Sequence, residues 1–372
     1  MKSQVESPGV CLTASGCRTA LGDARETCDA LLSGRRALSH FPVLGPDGGD
    51  QVPLAPISGR FQAETAPPRW VPSLLALAAE IPAGPWGTAR HPVIVTSSNF
   101  GVGSLYEFSR SGDERHLAFG TPFSTVESVR RLLGWGTNVA LVSHACVSAH
   151  VGLLLASQSL DGGLADRALV FSFDFISPFV SGGFHALKIL NSEMPSPYAA
   201  GRHAGSIGLG DGAAFAVLEA GGAGLTIAAQ VLHNEMHHAT SNSPDGAGFE
   251  ECLAPVAAAS SGRRLWVKGH GTGTLEAGRL EARTVERLFP GSPLVSWKGS
   301  LGHTLGSCGL VELAVAVEAL RRGRIPGTIG GESPFFTSAV ADAPFSGDAY
   351  DGVVLASNAF GGAHAALLLG YD

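Results

Sequence analysis

The stretch from Asn138 to Leu160, NVALVSHACVSAHVGLLLASQSL, constrains the fold more than any other, because an apolar run passes without a spacer into a helical pattern of small residues. Val139, Ala140, Leu141 and Val142 follow Gly136 and Asn138 as a short apolar run, the pattern of a strand buried on both faces. Beyond Cys146, the residues Val147, Val151, Leu154, Leu155 and Leu160 recur at helical spacing. Ser148, Ala149, Gly152 and Ala156 keep the other faces of that helix narrow. Cys146 is therefore expected in the first helical turn, where unpaired N–H groups and the helix dipole favour the thiolate. A small buried thiol is the plainer alternative for any single cysteine.

With 372 residues, 45% of them hydrophobic, the chain can bury a large core as one domain or two fused halves. A net charge of −7 without clustered Lys and Arg argues against a nucleic-acid partner. The six cysteines, at 11, 17, 28, 146, 252 and 308, form no C-x-x-C pair and no metal-ligand spacing. No metal site is expected, and a reducing, cytoplasmic setting fits. No run of about 18 apolar residues occurs and the N-terminal stretch lacks a signal-peptide pattern, so neither a membrane span nor export is expected.

A strand is expected from Val10, followed by a helix ending at Gly34 with Glu26, Asp29 and Arg35 facing water. The proline-rich segment from His40 to Gly87 reads as surface connection around one helix, Pro72 to Ala79. Strands are expected at Pro92 to Thr96 and Ala168 to Phe175, then a helix marked by Phe184, Leu187 and Leu190. An apolar strand closes a first half near Ala220, and Leu225 to Leu232 opens a second. The run Gly302 to Leu320 echoes the small-residue pattern after Cys146. Alternating strands and helices in two similar halves, 1–220 and 221–372, indicate a duplicated α/β architecture.

Three further stretches carry candidate chemistry. In VKGHGTGT, His270 leaves an apolar strand end and enters a glycine-threonine loop. In SWKGSLGHTLGSCG, Lys298 and His303 precede a small-residue helix that carries Glu312. In LASNAFGGAHAALLLG, a strand ends in a glycine turn beside Phe360. Each alone also reads as an ordinary turn, ion pair or bend.

Together with Ala145 and Cys146, these stretches resemble the β-ketoacyl synthases, the condensing enzymes of the thiolase-fold superfamily. The resemblance rests on the Ala-Cys turn, the loop His270 to Thr274, the Lys298, Gly302, His303 and Glu312 set, and the turn Phe360 to Gly362, in order from Val10 to the C-terminus. It implies a five-layer αβαβα thiolase-like fold with the nucleophile in the first half and both histidines in the second. It also implies decarboxylative Claisen condensation of malonyl-[acyl-carrier-protein] with an acyl group on Cys146, in fatty acid or type II polyketide-like biosynthesis. His270 and His303 would act with Cys146. The backbone of Cys146 and Phe360 would form an oxyanion hole, and Lys298 and Glu312 would tune the site. Thr272, Thr274, Phe360 and Gly361 would bind substrate, with Phe360 as a gate. The substrates would ride on the phosphopantetheine of an acyl carrier protein with no other cofactor, and the unit would be a homodimer or a heterodimer with a related chain.

The chain departs from the family pattern at several points. His144 replaces a Thr, Cys-Val-Ser stands where Cys-Ser-Ser is commoner, and Gly278-Arg279 replaces Gly-Asp. The terminal motif becomes Asn358-Ala359-Phe360-Gly361-Gly362-Ala363-His364, losing an aromatic and an Asn, and Ser307 and Cys308 are the two residues before Gly309. The chain is also short for the family, with the missing length expected between His40 and Gly87. The resemblance leaves two alternatives, a chain-length-factor-like partner subunit or a thiolase or starter-unit synthase. Partner subunits typically lose the nucleophile, and a thiolase would need Cys308 as a second reactive cysteine.

Overall fold

The computed structural model describes residues 9–202, 205–221 and 224–371. Its main sheet uses ten principal strands, β1 (Val10–Thr19), β2 (Val93–Thr96), β3 (Val139–Val142), β4 (Arg167–Asp174), β5 (Gly212–Ala220), β6 (Leu225–Asn234), β7 (Leu265–Lys268), β8 (Leu294–Val295), β9 (Gly352–Ala359) and β10 (Ala363–Tyr371). Their order is β8-β7-β9-β10-β6-β1-β5-β4-β2-β3. The first half, read outward from the centre, is β1-β5-β4-β2-β3, and the second is β6-β10-β9-β7-β8. In each half the first two pairings are antiparallel and the last two parallel. The halves join where Val10 and Cys11 pair with Ile227 and Thr226.

The period of two along each strand decides which residues face which layer. On β4, Ala168 and Val170 point into the central core, while Leu169, Phe171 and Phe173 point into an outer one. On β9, Val353 and Leu355 share the central core, and Val354 and Ala356 face the opposite outer one. Two helices, α5 (Ser148–Asp161) and α10 (Cys308–Arg321), supply that central layer with α1 (Ala24–Leu32) beside them. Outside the first half lie α2 (Val71–Ala78) and α4 (Pro122–Leu132); outside the second lie α7 (Ala247–Ala259) and α8 (Leu275–Leu288). The remaining helices are α3 (Val102–Ser111), α6 (Pro178–Ala186) and the single turn α9 (Lys298–Leu301). This is the α/β, thiolase-like, five-layer arrangement.

Three expectations are corrected. The strand β3 is not buried on both faces: it ends the sheet, pairs only with β2, and leaves Ala140 and Leu141 exposed, the latter by 40%. An apolar run signals an interior strand only when neighbours cover it, and here one side is open. The segment from His40 to Gly87 is not a loose surface connection. Ser39–Pro42 pairs with Gln51–Ala55, whose Val52 and Leu54 are fully buried, and Trp70, Leu74, Leu77 and Trp86 enter the first outer core. Prolines hide the periodicity of such short pieces. The helix near Phe184 lies earlier than expected, capped by Ser177 and finished before Leu187, which is exposed.

The layering makes a stability prediction. Leu153 of α5 is fully buried in the central core, so Leu153→Ala should cost about 2–5 kcal/mol. Leu164 is 70% exposed beyond the helix end, and Leu164→Ala should cost less than about 0.5 kcal/mol. Urea denaturation measures both, and equal losses would contradict the placement of α5 between the two halves of the sheet.

Candidate active site

Cys146 lies on the tight turn between β3 and α5. Ala145 holds φ at 46°, a conformation that costs a residue with a Cβ and sharpens the bend. Ser148 Oγ fixes the turn by accepting the His144 N–H at 2.8 Å and donating to the Ala145 carbonyl at 2.6 Å. Because α5 begins at Ser148, the thiol stands just before the helix rather than in its first turn. Burial pushes the Cys146 thiol up, a nearby Cys308 adds to the effect, and Lys298 opposes it. Desolvation thus opposes the thiolate that a helix end is expected to favour. It is the one cysteine of six that is not fully buried.

His270 follows β7 and enters the loop Gly271 to Thr274. Its backbone N–H donates to Glu281 Oε1 at 2.6 Å, and the Gly271 N–H donates to Glu281 Oε2 at 2.9 Å. The Tyr198 hydroxyl donates to the same carboxylate at 2.9 Å. Glu281 of α8 is thus the buried anchor of the histidine loop. Sequence reading missed it, although its position one helix after the loop was the available signal.

His303 follows α9 and Gly302, whose φ of 71° turns the chain under the site. Its Nδ1 accepts the Leu305 N–H at 3.2 Å, which leaves the ring proton on Nε2 as a donor. That Nε2 is buried without a protein partner, as is Nδ1 of His270. The two rings meet edge to face, centroids 4.9 Å apart at 87°. Burial first, and the positive charge of Lys298 second, hold both imidazoles well below their ordinary range, so they are neutral at pH 7.

Lys298 Nζ pairs with Glu312 Oε1 at 2.6 Å, as the spacing suggested. Lys268, which the sequence did not single out, pairs with Glu312 Oε2, and all three side chains are buried. A cavity of about 240 Å³ brings Cys146, His270, His303, Thr272, Thr274 and Phe360 together. Phe184, Ile189 and Ile207 add an apolar wall, and Thr240, Asn242, Glu276 and Asn358 a polar one. Thr272 and Thr274 hydroxyls lie 3.2 Å apart, and Phe360, 37% exposed, stacks on Phe184 with centroids 6.0 Å apart. Gly361 is not in the lining; with φ at 83° it forms the turn beside Phe360 and donates to the Ala239 carbonyl at 2.8 Å. Cys308 is buried and does not line the cavity, its Sγ donating to the Cys146 carbonyl at 3.4 Å.

Two departures from the family pattern compensate each other. His364 Nδ1 donates to Asn358 Oδ1 at 2.8 Å, and Asn358 Nδ2 reaches Glu281 Oε1 at 3.5 Å. His364 Nε2 faces Glu235 Oε2 at 3.6 Å, and Glu235 Oε1 accepts the Ser243 N–H at 2.9 Å. His364 thus holds Asn358 beside the carboxylate that anchors His270, whereas His364 Nε2 and Glu235 Oε2 face each other without a hydrogen bond. Nothing in the structure explains Arg279.

Residues 223–332 match the family described as Beta-ketoacyl synthase, C-terminal domain. The chain is similar to a 3-oxoacyl-[acyl-carrier-protein] synthase 2 of Coxiella burnetii, 30% identical over 54% of this chain and 53% of that protein. It is also similar to a chloroplastic 3-oxoacyl-[acyl-carrier-protein] synthase II of Arabidopsis thaliana, 29% identical over 65% of this chain and 50% of that one. The match thus spans about half the length of these curated relatives. A ketosynthase solved in complex with its chain length factor, from Xenorhabdus doucetiae, has the same fold, with a TM-score of 0.81, 19% identity and 98% of each chain covered. Among the described residues, no helix is long and apolar enough to cross a membrane.

The buried imidazoles give stability a pH signature. Burial lowers His150 and His364 to about 4 from the ordinary 6.5. Between those values the unfolded chain binds protons that the folded one does not, so these residues destabilise the fold as pH drops from 6.5 towards 4. Asp174, raised by burial to about 6, works in the opposite direction over part of that window. His364→Asn removes one titrating ring, and its stability should fall less steeply between pH 6.5 and 4.5 than that of the unaltered protein. Chemical denaturation at several pH values reads the slopes; identical slopes would contradict the burial of a neutral His364.

Proposed function

We propose that the chain is a β-ketoacyl synthase of the thiolase-fold superfamily and that it catalyses decarboxylative Claisen condensation, joining malonyl-[acyl-carrier-protein] to an acyl group held on Cys146. The carrying observation is that one cavity holds a single thiol beside two neutral imidazoles. The Cys146 sulfur takes the acyl group from its carrier as a thioester, its proton passing to a neighbouring imidazole as the carrier thiol leaves. Malonyl thioester then loses carbon dioxide, and the N–H of His303 Nε2 together with His270 holds the enolate oxygen. Each such donor is worth about 3 kcal/mol in comparable sites. The enolate carbon attacks the Cys146 thioester carbonyl. The backbone N–H groups of Cys146 and Phe360 hold the resulting oxyanion, which collapses to release the thiolate and the β-ketoacyl carrier.

Thr272 and Thr274 hold the pantetheine arm, and Phe360 gates the cavity beside the Gly361 turn. Lys298 and Glu312 set the field around His303 without touching substrate. The halves 1–220 and 221–372 act as duplicated units, one carrying the thiol and the other the imidazoles. No cofactor beyond the carrier's phosphopantetheine is required. The setting is cytoplasmic, as the cysteine spacing supports, and the pathway is fatty acid or type II polyketide-like biosynthesis, as relatives named 3-oxoacyl-[acyl-carrier-protein] synthase and polyketide beta-ketoacyl synthase support.

The open edge and exposed apolar face of β3 support a dimer, with a second copy or a related chain across that strand. The solved ketosynthase with its chain length factor makes a partner-subunit role the second reading. The intact thiol and histidine set favours the catalytic one.

Incubation with an acyl carrier substrate should add one acyl mass to the intact protein. Cys146→Ala should abolish the adduct and Cys308→Ala should keep it; the reverse would overturn the site. His303→Ala should still accept the acyl group, while its release of carbon dioxide from malonyl carrier falls by about 100-fold or more. Normal decarboxylation by that variant would contradict the role of His303. Sedimentation should find a dimer, alone or with a co-expressed related chain, and a fully active monomer at micromolar concentration would refute it.

A further inference from the structure

Three charged groups meet in the core beside the two imidazoles, and only two of them form the pair read from the sequence. Lys268, the last residue of β7, is fully buried. Its ammonium donates to the Gly269 carbonyl at 2.7 Å, one residue before His270, and pairs with Glu312 Oε2. Lys298 takes Oε1 of the same carboxylate. A lone Lys-Glu pair satisfies its own charge, whereas two ammonium groups on one carboxylate leave one positive charge in the interior. Such a charge is costly to bury, and replacing it by an apolar side chain is often neutral or stabilising. Packing alone therefore gives no reason for this lysine.

We propose that Lys268 is a positioning residue for the condensation proposed above: it ties Glu312 to the backbone that carries His270 and keeps a surplus positive charge beside the two imidazoles. The groups around it are Glu312 and Cys308 on α10, Lys298 on α9, His150 on α5, and the His270 and His303 rings. Burial draws Lys268 down to about 8, with Glu312 opposing, so it remains mainly charged at pH 7. Its charge opposes protonation of His270 and His303, adding to burial and to Lys298. The imidazoles thereby remain neutral hydrogen-bond donors when an enolate forms.

The test compares Lys268→Met with Lys268→Arg, which retains the charge, and Lys268→Gln serves if the methionine variant does not fold. Thermal denaturation first establishes folding. Acyl transfer to Cys146 should stay within about threefold of the unaltered protein, while kcat for malonyl decarboxylation falls about tenfold or more at little-changed KM. The ring resonances of His270 and His303, assigned by single His→Gln variants, should titrate about half a pH unit or more higher in Lys268→Met. In Lys268→Arg they should stay near their original midpoints. A folded Lys268→Met with unchanged decarboxylation and unchanged midpoints would overturn the proposal. Should the unaltered protein neither accept an acyl group nor decarboxylate, the condensation reading fails, and unchanged midpoints would then overturn the electrostatic role of Lys268 independently.

Discussion

The site depends on the close contact of two buried helices, α5 and α10, in the layer between the halves of the sheet. Small residues make this possible. A Cβ on Gly309 would lie 2.8 Å from His150 Cδ2 and 3.2 Å from the Ala149 Cβ, and one on Gly152 would lie 2.6 Å from Thr96 Cγ2. The close packing brings the N-terminal ends of both helices together. One end carries Cys146, and the other follows His303, with Cys308 donating to the Cys146 carbonyl. Each half of the sheet thus contributes residues to one cavity.

Much of this was legible because it depends on short-range pattern. The small-residue run after Cys146 and its echo after Gly302 marked the two central helices, and the glycine turns marked His270 and Phe360. The hidden parts depend on contacts across the layers. Glu281 reads as one more acidic residue on an amphipathic helix until folding places it under the N–H groups of His270 and Gly271. Lys268 sits at a strand end, where a lysine normally reaches water, and only the location of Glu312 explains its burial. The exposure of Leu141 could not be read from an apolar run, since the run does not say whether another strand covers it. The opposition to a thiolate was hidden for a related reason, because the helix end that favours it also lies where desolvation opposes it.

Buried charge is shared through a few carboxylates. Glu312 holds two lysines, Glu281 holds a loop and a tyrosine, and Asp174 accepts the Ser98 and Asn99 N–H groups together with the hydroxyls of Ser97 and Ser98. The departures at Asn358 and His364 fit the same scheme, since His364 donates to Asn358 and Asn358 reaches Glu281. A partly broken network of this kind leaves buried polar groups without partners, so the two substitutions are expected to tolerate change only as a pair.

The central claim is that one thiol and two neutral imidazoles couple decarboxylation to carbon–carbon bond formation. The direct measurement supplies the purified protein with an acyl carrier and a malonyl carrier labelled with ¹³C in its free carboxyl, then counts labelled carbon dioxide and elongated β-ketoacyl product in one reaction. The account predicts equal amounts of the two, with no label in the product. Product that retains the label, or carbon dioxide release without product while acyl-Cys146 is present, would contradict it.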